Sequence, residues 1–171
     1  MGDIDSGPIC AAIPGWFQPP AGLDAIRATY GEIEVANGAV VTPGWESANM
    51  IMAHEAWMPA GKLYVNKKIW PILKAAIETC LALNDGYLIK TLGCFSPRAQ
   101  RGANSSILST HSWGIAVDLN ADDNPLTFPP ADMVKTIPDT WIATFESCGF
   151  TWGGRFKNRH DPMHFQLCSS Y

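Results

Sequence analysis

His111-Ser112-Trp113-Gly114-Ile115-Ala116-Val117-Asp118 reads as a turn that runs into a strand. From Ile115 to Asn120 the side chains alternate. Ile115, Val117 and Leu119 point one way, and Ala116, Asp118 and Asn120 the other. Gly114 permits the turn, so Asp118 can project from the polar face and meet His111. A last strand is predicted over Met163 to Leu167, with His164 and Gln166 on one face. Short strands interleaved with helical segments predict an α+β fold, a small antiparallel sheet with helices packed to one side.

Working outward, the clearest helix spans about residues 67–83, with Ile69, Leu73, Ile77, Cys80 and Leu81 on one face. Pro71 is tolerated only in a first turn, which predicts a start near Ile69. Asn84-Asp85-Gly86 turns the chain, Tyr87 to Gly93 follows as a strand, and Ser96 to Thr110 as a polar loop. Residues 121–138 read as a connection containing Pro and Asp, with one helical turn after Pro130. Asp139 has the character of an N-cap for a helix carrying Trp141, Ile142, Phe145 and Cys148, closed by Gly149. Towards the N-terminus, Pro8, Pro14, Pro19 and Pro20 mark residues 1–20 as irregular. A short helix is predicted between Gly22 and Tyr30, and a hairpin over Glu32–Val41 around Asn37-Gly38. One domain over residues 1–171 is expected, with residues 1–45 its least defined segment.

Composition narrows the function classes. With 47% hydrophobic residues, seven Trp and seven Phe, the chain has the make-up of a globular protein with a real core. A formal charge of −4 gives no electrostatic case for nucleic acid. No apolar run approaches the roughly 18 residues of a membrane helix, so membrane insertion is not expected. Asp3 and Asp5 stand where a secretory signal would be positive, and no apolar stretch follows them. Synthesis in the cytoplasm without a signal peptide is the expectation, and export would need another route. Cys10, Cys80, Cys94, Cys148 and Cys168 are widely and irregularly spaced, without a C-x-x-C pair. They read as small buried hydrophobes in a reducing compartment, with a Cys148–Cys168 bridge as the alternative.

The chemistry lies in His111, Asp118 and His164, joined by Asp161 three residues before His164. Two neutral imidazoles and one carboxylate with an open fourth position are how a catalytic zinc is held. Such an ion keeps net positive charge, brings the pKa of a water towards ~7 and polarises a carbonyl. Asp161, ahead of Pro162, suits a general base. Arg98 and Arg101 suit a substrate carboxylate or a developing oxyanion. Each residue also has an ordinary reading: a hydrogen-bonded histidine beside a Trp, a capping Asp118, an Asx-turn at Asp161. Spacing alone does not choose between them.

Ser109-Thr110-His111-Ser112-Trp113-Gly114-Ile115-Ala116-Val117-Asp118 resembles the S-x-H-x-x-G-x-A-x-D motif of the zinc D-alanyl-D-alanine carboxypeptidase/L-alanyl-D-glutamate endopeptidase family. Those enzymes cut peptidoglycan peptides, and many are phage endolysins. Trp152-Gly153-Gly154 through Asp161-Pro162-Met163-His164-Phe165-Gln166 resembles the family's second motif. The likeness is specific over about residues 87–167 and vague before residue 60. It implies one Zn²⁺ per chain on His111, Asp118 and His164, with Asp161 as catalytic base. Arg98, in Gly93-Cys94-Phe95-Ser96-Pro97-Arg98, matches the family's arginine ahead of the first motif, with Arg101 the second candidate. The implied fold, shared with hedgehog-type signalling domains, is a small antiparallel sheet with flanking helices. Asp161 stands where the carboxypeptidase branch often has Glu, which tilts the expectation to the endopeptidase branch.

From this follow the expected partners: peptidoglycan peptides, neither nucleic acid nor membrane, and a holin-assisted route to the bacterial cell wall for a monomer. With no wall-binding segment after His164, targeting is expected from the catalytic domain or from a partner. D,D-carboxypeptidase activity is the near alternative, and a non-catalytic zinc-stabilised binding module the rival from another class. Trp113, Trp152, Phe156 and His160 are candidates to line the substrate groove, core packing being equally open for Trp113. Gln166 is placed to orient a metal ligand. His54-Glu55 begins an H-E-x-x-H pattern, but Met58 takes the second His position and Pro59 would break the helix. Asp122-Asp123-Asn124 lacks the Gly and Glu of a calcium loop and reads as a solvated turn.

Overall fold

A computed structural model describes residues 12–101, 106–129 and 131–171. Its centre is a four-stranded antiparallel sheet in the order β5-β6-β8-β7, formed by Leu92–Gly93, Ala116–Leu119, His164–Gln166 and Thr151–Trp152. Two hairpins accompany it, β1 (Val35–Ala36) with β2 (Ala39–Val40) and β3 (Met50–Ala53) with β4 (Leu63–Asn66). The helices are α1 (Leu23–Tyr30), α2 (Trp45–Asn49), α3 (Trp70–Ala82) and α4 (Asp139–Ser147). The fold is α+β, and the hairpin around Asn37-Gly38 forms as predicted.

Strand alternation separates core from site. On β8, Phe165 is fully buried against α4, its ring centroid 4.4 Å from that of Phe145. His164 and Gln166, one position either side, turn to the opposite face. On β6, Val117 and Leu119 are buried in the core while Asp118 is part-exposed. Helix α3 begins with Pro71 in its first turn and buries Ile72, Leu73, Ala76, Ile77 and Cys80. It packs on α4, whose Trp141 donates from Nε1 to Asp85 Oδ2 at 3.0 Å. Towards the N-terminus, Ile26 and Tyr30 of α1 join the same hydrophobic cluster, and the Tyr30 hydroxyl donates to Leu167 O at 3.0 Å. Among the described residues no helix is long and apolar enough to cross a membrane.

Several expectations need correction. The strand predicted from Tyr87 shrinks to Leu92–Gly93, and Asn120 is the reason. Its backbone takes φ 47°, which ends β6. Its side chain then serves the backbone that a longer strand would have paired. Oδ1 accepts from Lys90 N at 2.7 Å and Thr91 N at 3.0 Å, and Nδ2 donates to Leu88 O at 2.7 Å. Asn120→Ala removes these part-buried bonds together and is expected to cost about 1–2 kcal/mol of stability, read from urea unfolding.

Asp139 is the first residue of α4 rather than its cap, which is Pro138, and it pairs with Lys135 at 2.8 Å. Residues 131–138 hold no helical turn, and Pro130 lies outside the described residues. Cys80, Cys94 and Cys168 are buried free thiols, so no Cys148–Cys168 bridge exists, although Cys148 is disulfide-bonded. Cys10 lies outside the described residues.

The β3–β4 hairpin escaped the sequence reading. It braces the turn at His111: Asn66 N donates to Gly114 O at 3.1 Å and Asn66 Nδ2 to Trp113 O at 3.1 Å. Gly114 itself has φ 64°, and a Cβ there would lie 2.5 Å from Met50 Cε. Only glycine meets both conditions.

Candidate metal centre

His111 sits in a 3-10 turn over Thr110–Trp113, which Ser109 opens and Gly114 closes. Asp118 and His164 are directly opposed residues on β6 and β8. The turn therefore drops His111 beside a cross-strand pair. His111 Nε2 lies 3.1 Å from Asp118 Oδ1 and 3.1 Å from His164 Nδ1, and the last two atoms are 3.0 Å apart. The three residues thus present one ligand atom each to a common point.

Hydrogen bonds behind the rings fix what those atoms are. His111 Nδ1 donates to Cys94 O at 2.5 Å, leaving the Nε2 lone pair directed at the centre. His164 Nε2 donates to Gln166 Oε1 at 3.0 Å, and the Thr110 hydroxyl donates to the same oxygen at 3.2 Å. Three electron-pair donors facing one point repel each other unless a proton or a cation lies between them. Two imidazoles and a carboxylate, each oriented from behind, are the donor set zinc takes with a position left open. The residues fit the ion.

Charge in the cluster follows the same logic. Burial disfavours an ionised Asp118, yet the adjacent His111 and His164 rings hold its carboxyl far below the usual range. Burial likewise disfavours charge on His164, but the Asp118 carboxylate outweighs it and raises the imidazole above its ordinary 6.5. Asp161 behaves oppositely. Burial is its largest influence and raises the carboxyl above its ordinary 3.8, with Asp118 adding to the rise and His164 opposing it. Asp161 Oδ1 is buried and has no hydrogen-bond partner among the described residues.

A small cleft opens over this centre, lined by Asp161, Arg98, Arg101, Gln100, Leu126 and Arg159 besides the three clustered residues. Arg98 is held at its backbone by Ser112: Arg98 N donates to Ser112 Oγ and that hydroxyl donates back to Arg98 O, both at 3.0 Å. A second, wider depression shares Arg101, Asp118, Leu126 and Met163 and runs on to Asp122 and Pro125.

Other candidates fall elsewhere. Trp113 is buried, with its ring against Tyr171 and Nε1 donating to Gly31 O at 2.9 Å. Trp152 is buried too, and its Nε1 donates to Pro162 O at 2.9 Å, so it supports the Asp161 loop instead of lining the cleft. His160 pairs through its backbone with Thr127 in both directions at 2.8 Å and is not among the lining residues. His54 is exposed and Glu55 pairs with Lys74, far from an H-E-x-x-H arrangement. Asp123 pairs with Lys90 at 2.8 Å, and Asn124 Nδ2 bonds Asn120 O at 2.9 Å, which makes residues 122–124 a structural turn. Arg159 and Gln100 were missed by the sequence reading. No spacing rule singles them out, although Arg159 stands only two residues before Asp161.

Gly153 controls the height of the Asp161 loop. Asp161 N donates to Gly153 O at 3.1 Å, and a Cβ on Gly153 would lie 2.5 Å from Asp161 O and 3.0 Å from His164 Cβ. Gly153→Ala is expected to displace Asp161 and lower turnover by roughly a hundredfold, as ångström-scale misplacement does. The check is kcat with zinc content measured alongside.

Residues 102–167 match the family model described as D-alanyl-D-alanine carboxypeptidase. The matched stretch is similar to a peptidase family, and it holds His111, Asp118, Asp161 and His164, while Arg98 and Arg101 lie just before it. No curated protein and no solved structure matches the chain.

Proposed function

We propose that the chain is a zinc-dependent peptidase that hydrolyses peptidoglycan stem peptides. We assign it the L-alanyl-D-glutamate endopeptidase activity of a phage or prophage endolysin, with residues 1–171 as one catalytic unit. The observation that carries the reading is the convergence of His111, Asp118 and His164 beneath an unpartnered Asp161 carboxylate oxygen. A metal that only held the fold together would have no use for such a base. Zinc on the three ligands would supply Lewis acidity to a water and to the scissile carbonyl.

The chain's own residues do the rest. Asp161, kept by burial from being a purely spectator anion, takes the proton of the attacking water and returns it to the leaving amine. Arg98 sits at the cleft wall to neutralise charge that develops on the carbonyl oxygen. Gln166 and Cys94 O keep the two imidazoles in register. Asp161, where the carboxypeptidase branch often has Glu, favours an internal bond. The matched family's description supports D,D-carboxypeptidase activity as the second reading. Synthesis in the cytoplasm, passage to the wall by a holin-type route and action as a monomer belong to the same proposal.

The test is mass spectrometry of defined muropeptides incubated with the zinc-loaded protein and with a chelated control. A zinc-dependent cut between L-Ala and D-Glu is expected. Loss of terminal D-Ala alone would move the assignment to the carboxypeptidase. Zinc bound at one per chain without any cleavage would leave a binding module.

A further inference from the structure

We propose that Arg159, with Arg101 beside it, binds a substrate carboxylate and sets which peptides the cleft accepts. The proposal rests on the peptidase reading for its substrate class. The observation behind it is a contrast among the arginines. Arg27 and Arg155, away from the cleft, are paired with acids: Arg27 with Asp24 and Glu32, and Arg155 with Glu146 at 2.5 Å. Arg98, Arg101 and Arg159 all line the cleft, and among the described residues none of them forms a salt bridge. Three guanidinium groups against two carboxylates, Asp118 and Asp161, leave this cleft of a protein of net charge −4 with positive charge in excess, which suits an anion.

Arg159 is the placed member of the set. Its guanidinium lies over Phe156 with Cζ 5.3 Å from the ring centroid, and Nη1 donates to Arg101 O at 3.1 Å. Phe156 in turn packs against the His164 ring at 6.0 Å between centroids. The side chain is thereby tied both to the metal-side strand and to the loop carrying Arg101. One nitrogen is used on Arg101 O, which leaves N–H groups for a ligand carboxylate, a geometry that a planar fork meets and an ammonium does not. Arg98 serves the reacting carbonyl, so Arg159 and Arg101 define a separate rim contact. A stem peptide offers two carboxylates of this chemistry: the α-carboxylate of a γ-linked D-Glu and the free C-terminus.

The test uses the full chain in chelator, where no turnover occurs, with calorimetric binding of L-Ala-γ-D-Glu-L-Lys. Two derivatives separate the sources, one amidated at the D-Glu α-carboxylate and one at the C-terminus. Amidating D-Glu is expected to weaken binding by about tenfold or more. Arg159→Gln should bind acid and amide alike, Arg159→Lys should keep part of the preference, and Lys74→Gln, remote on α3, should behave as wild type. If the C-terminal amide causes the loss and Arg159→Gln abolishes it, Arg159 still holds a carboxylate, but a terminal one. A preference that survives Arg159→Gln, or a wild-type chain that shows none or fails to bind, overturns the proposal. Selective binding with no zinc-dependent cleavage would instead sink the peptidase reading and leave the Arg159 assignment standing.

Discussion

Asp161→Asn is expected to slow hydrolysis by about a thousandfold while zinc content stays at one per chain. The substitution keeps shape and removes the proton acceptor, so binding and chemistry separate cleanly. Its backbone contacts, Asp161 N to Gly153 O at 3.1 Å and His164 N to Asp161 O at 3.0 Å, do not depend on the side chain. A second readout distinguishes a catalytic carboxylate from a structural one. Because burial raises the Asp161 pKa above 3.8, the folded state binds this proton more tightly than the unfolded chain does. Stability in the metal-free protein therefore falls as pH rises through the folded pKa, and at neutral pH the ionised group is a net cost. Asn carries no such cost. Asp161→Asn should thus melt higher than wild type near neutral pH in chelator, and the difference should shrink as pH falls towards 3.8. A variant that is both fully active and less stable would place Asp161 among the structural carboxylates.

The same residue shows how far the sequence could be read. The turn and strands that carry His111, Asp118 and His164 are legible from two local patterns, a glycine-closed turn before an alternating strand and a second alternating strand, whereas their reading as one ligand set rests on the resemblance of the two motifs. Their cross-strand pairing then followed from the pleat, which puts Asp118 opposite His164. Helix α3 was legible for a similar reason, since its apolar period and Pro71 are properties of the segment itself. What escaped depended on partners distant in sequence. The β3–β4 hairpin has no tight turn, only the long connection from His54 to Lys62, so nothing local announces it. Asn120 replaces strand pairing with side-chain bonds to residues 88–91, and no propensity scale anticipates that substitution. Trp113 and Trp152 read as candidate groove walls because aromatic residues near a motif suggest them, with core packing equally open for Trp113. Both rings are buried, and their indole N–H groups find the backbone carbonyls of Gly31 and Pro162. Arg159 is the converse case: its role is set by Phe156 and Arg101, neither of which marks it in the sequence.

Asp118→Asn is expected to abolish hydrolysis and the thermal stabilisation by zinc together, because this carboxylate supplies the only negative charge among the three proposed ligands. For wild type, zinc present at a hundred times its Kd adds about 2.7 kcal/mol to stability. The size of that gain should depend on pH in a direction the cluster fixes. His164 has a raised folded pKa, so the stability it contributes is complete below 6.5 and is lost as pH rises through its folded value. Asp118 has a depressed pKa, so its contribution persists above its unfolded value and is lost only in acid. The metal-free cluster is therefore best satisfied below the raised His164 pKa, where an imidazolium proton sits between His164 and Asp118. As pH rises through the folded His164 value the proton leaves and three electron-pair donors face each other at 3.0 to 3.1 Å. Zinc removes this repulsion, and it no longer competes with the proton there. The melting-temperature gap between zinc-loaded and chelated protein should accordingly widen as pH rises from 6.5 through the raised His164 value. In Asp118→Asn the gap should be near zero throughout. An equal gap in variant and wild type would mean that zinc is held elsewhere, and the convergence of His111, Asp118 and His164 would then be a hydrogen-bonded cluster of the sheet.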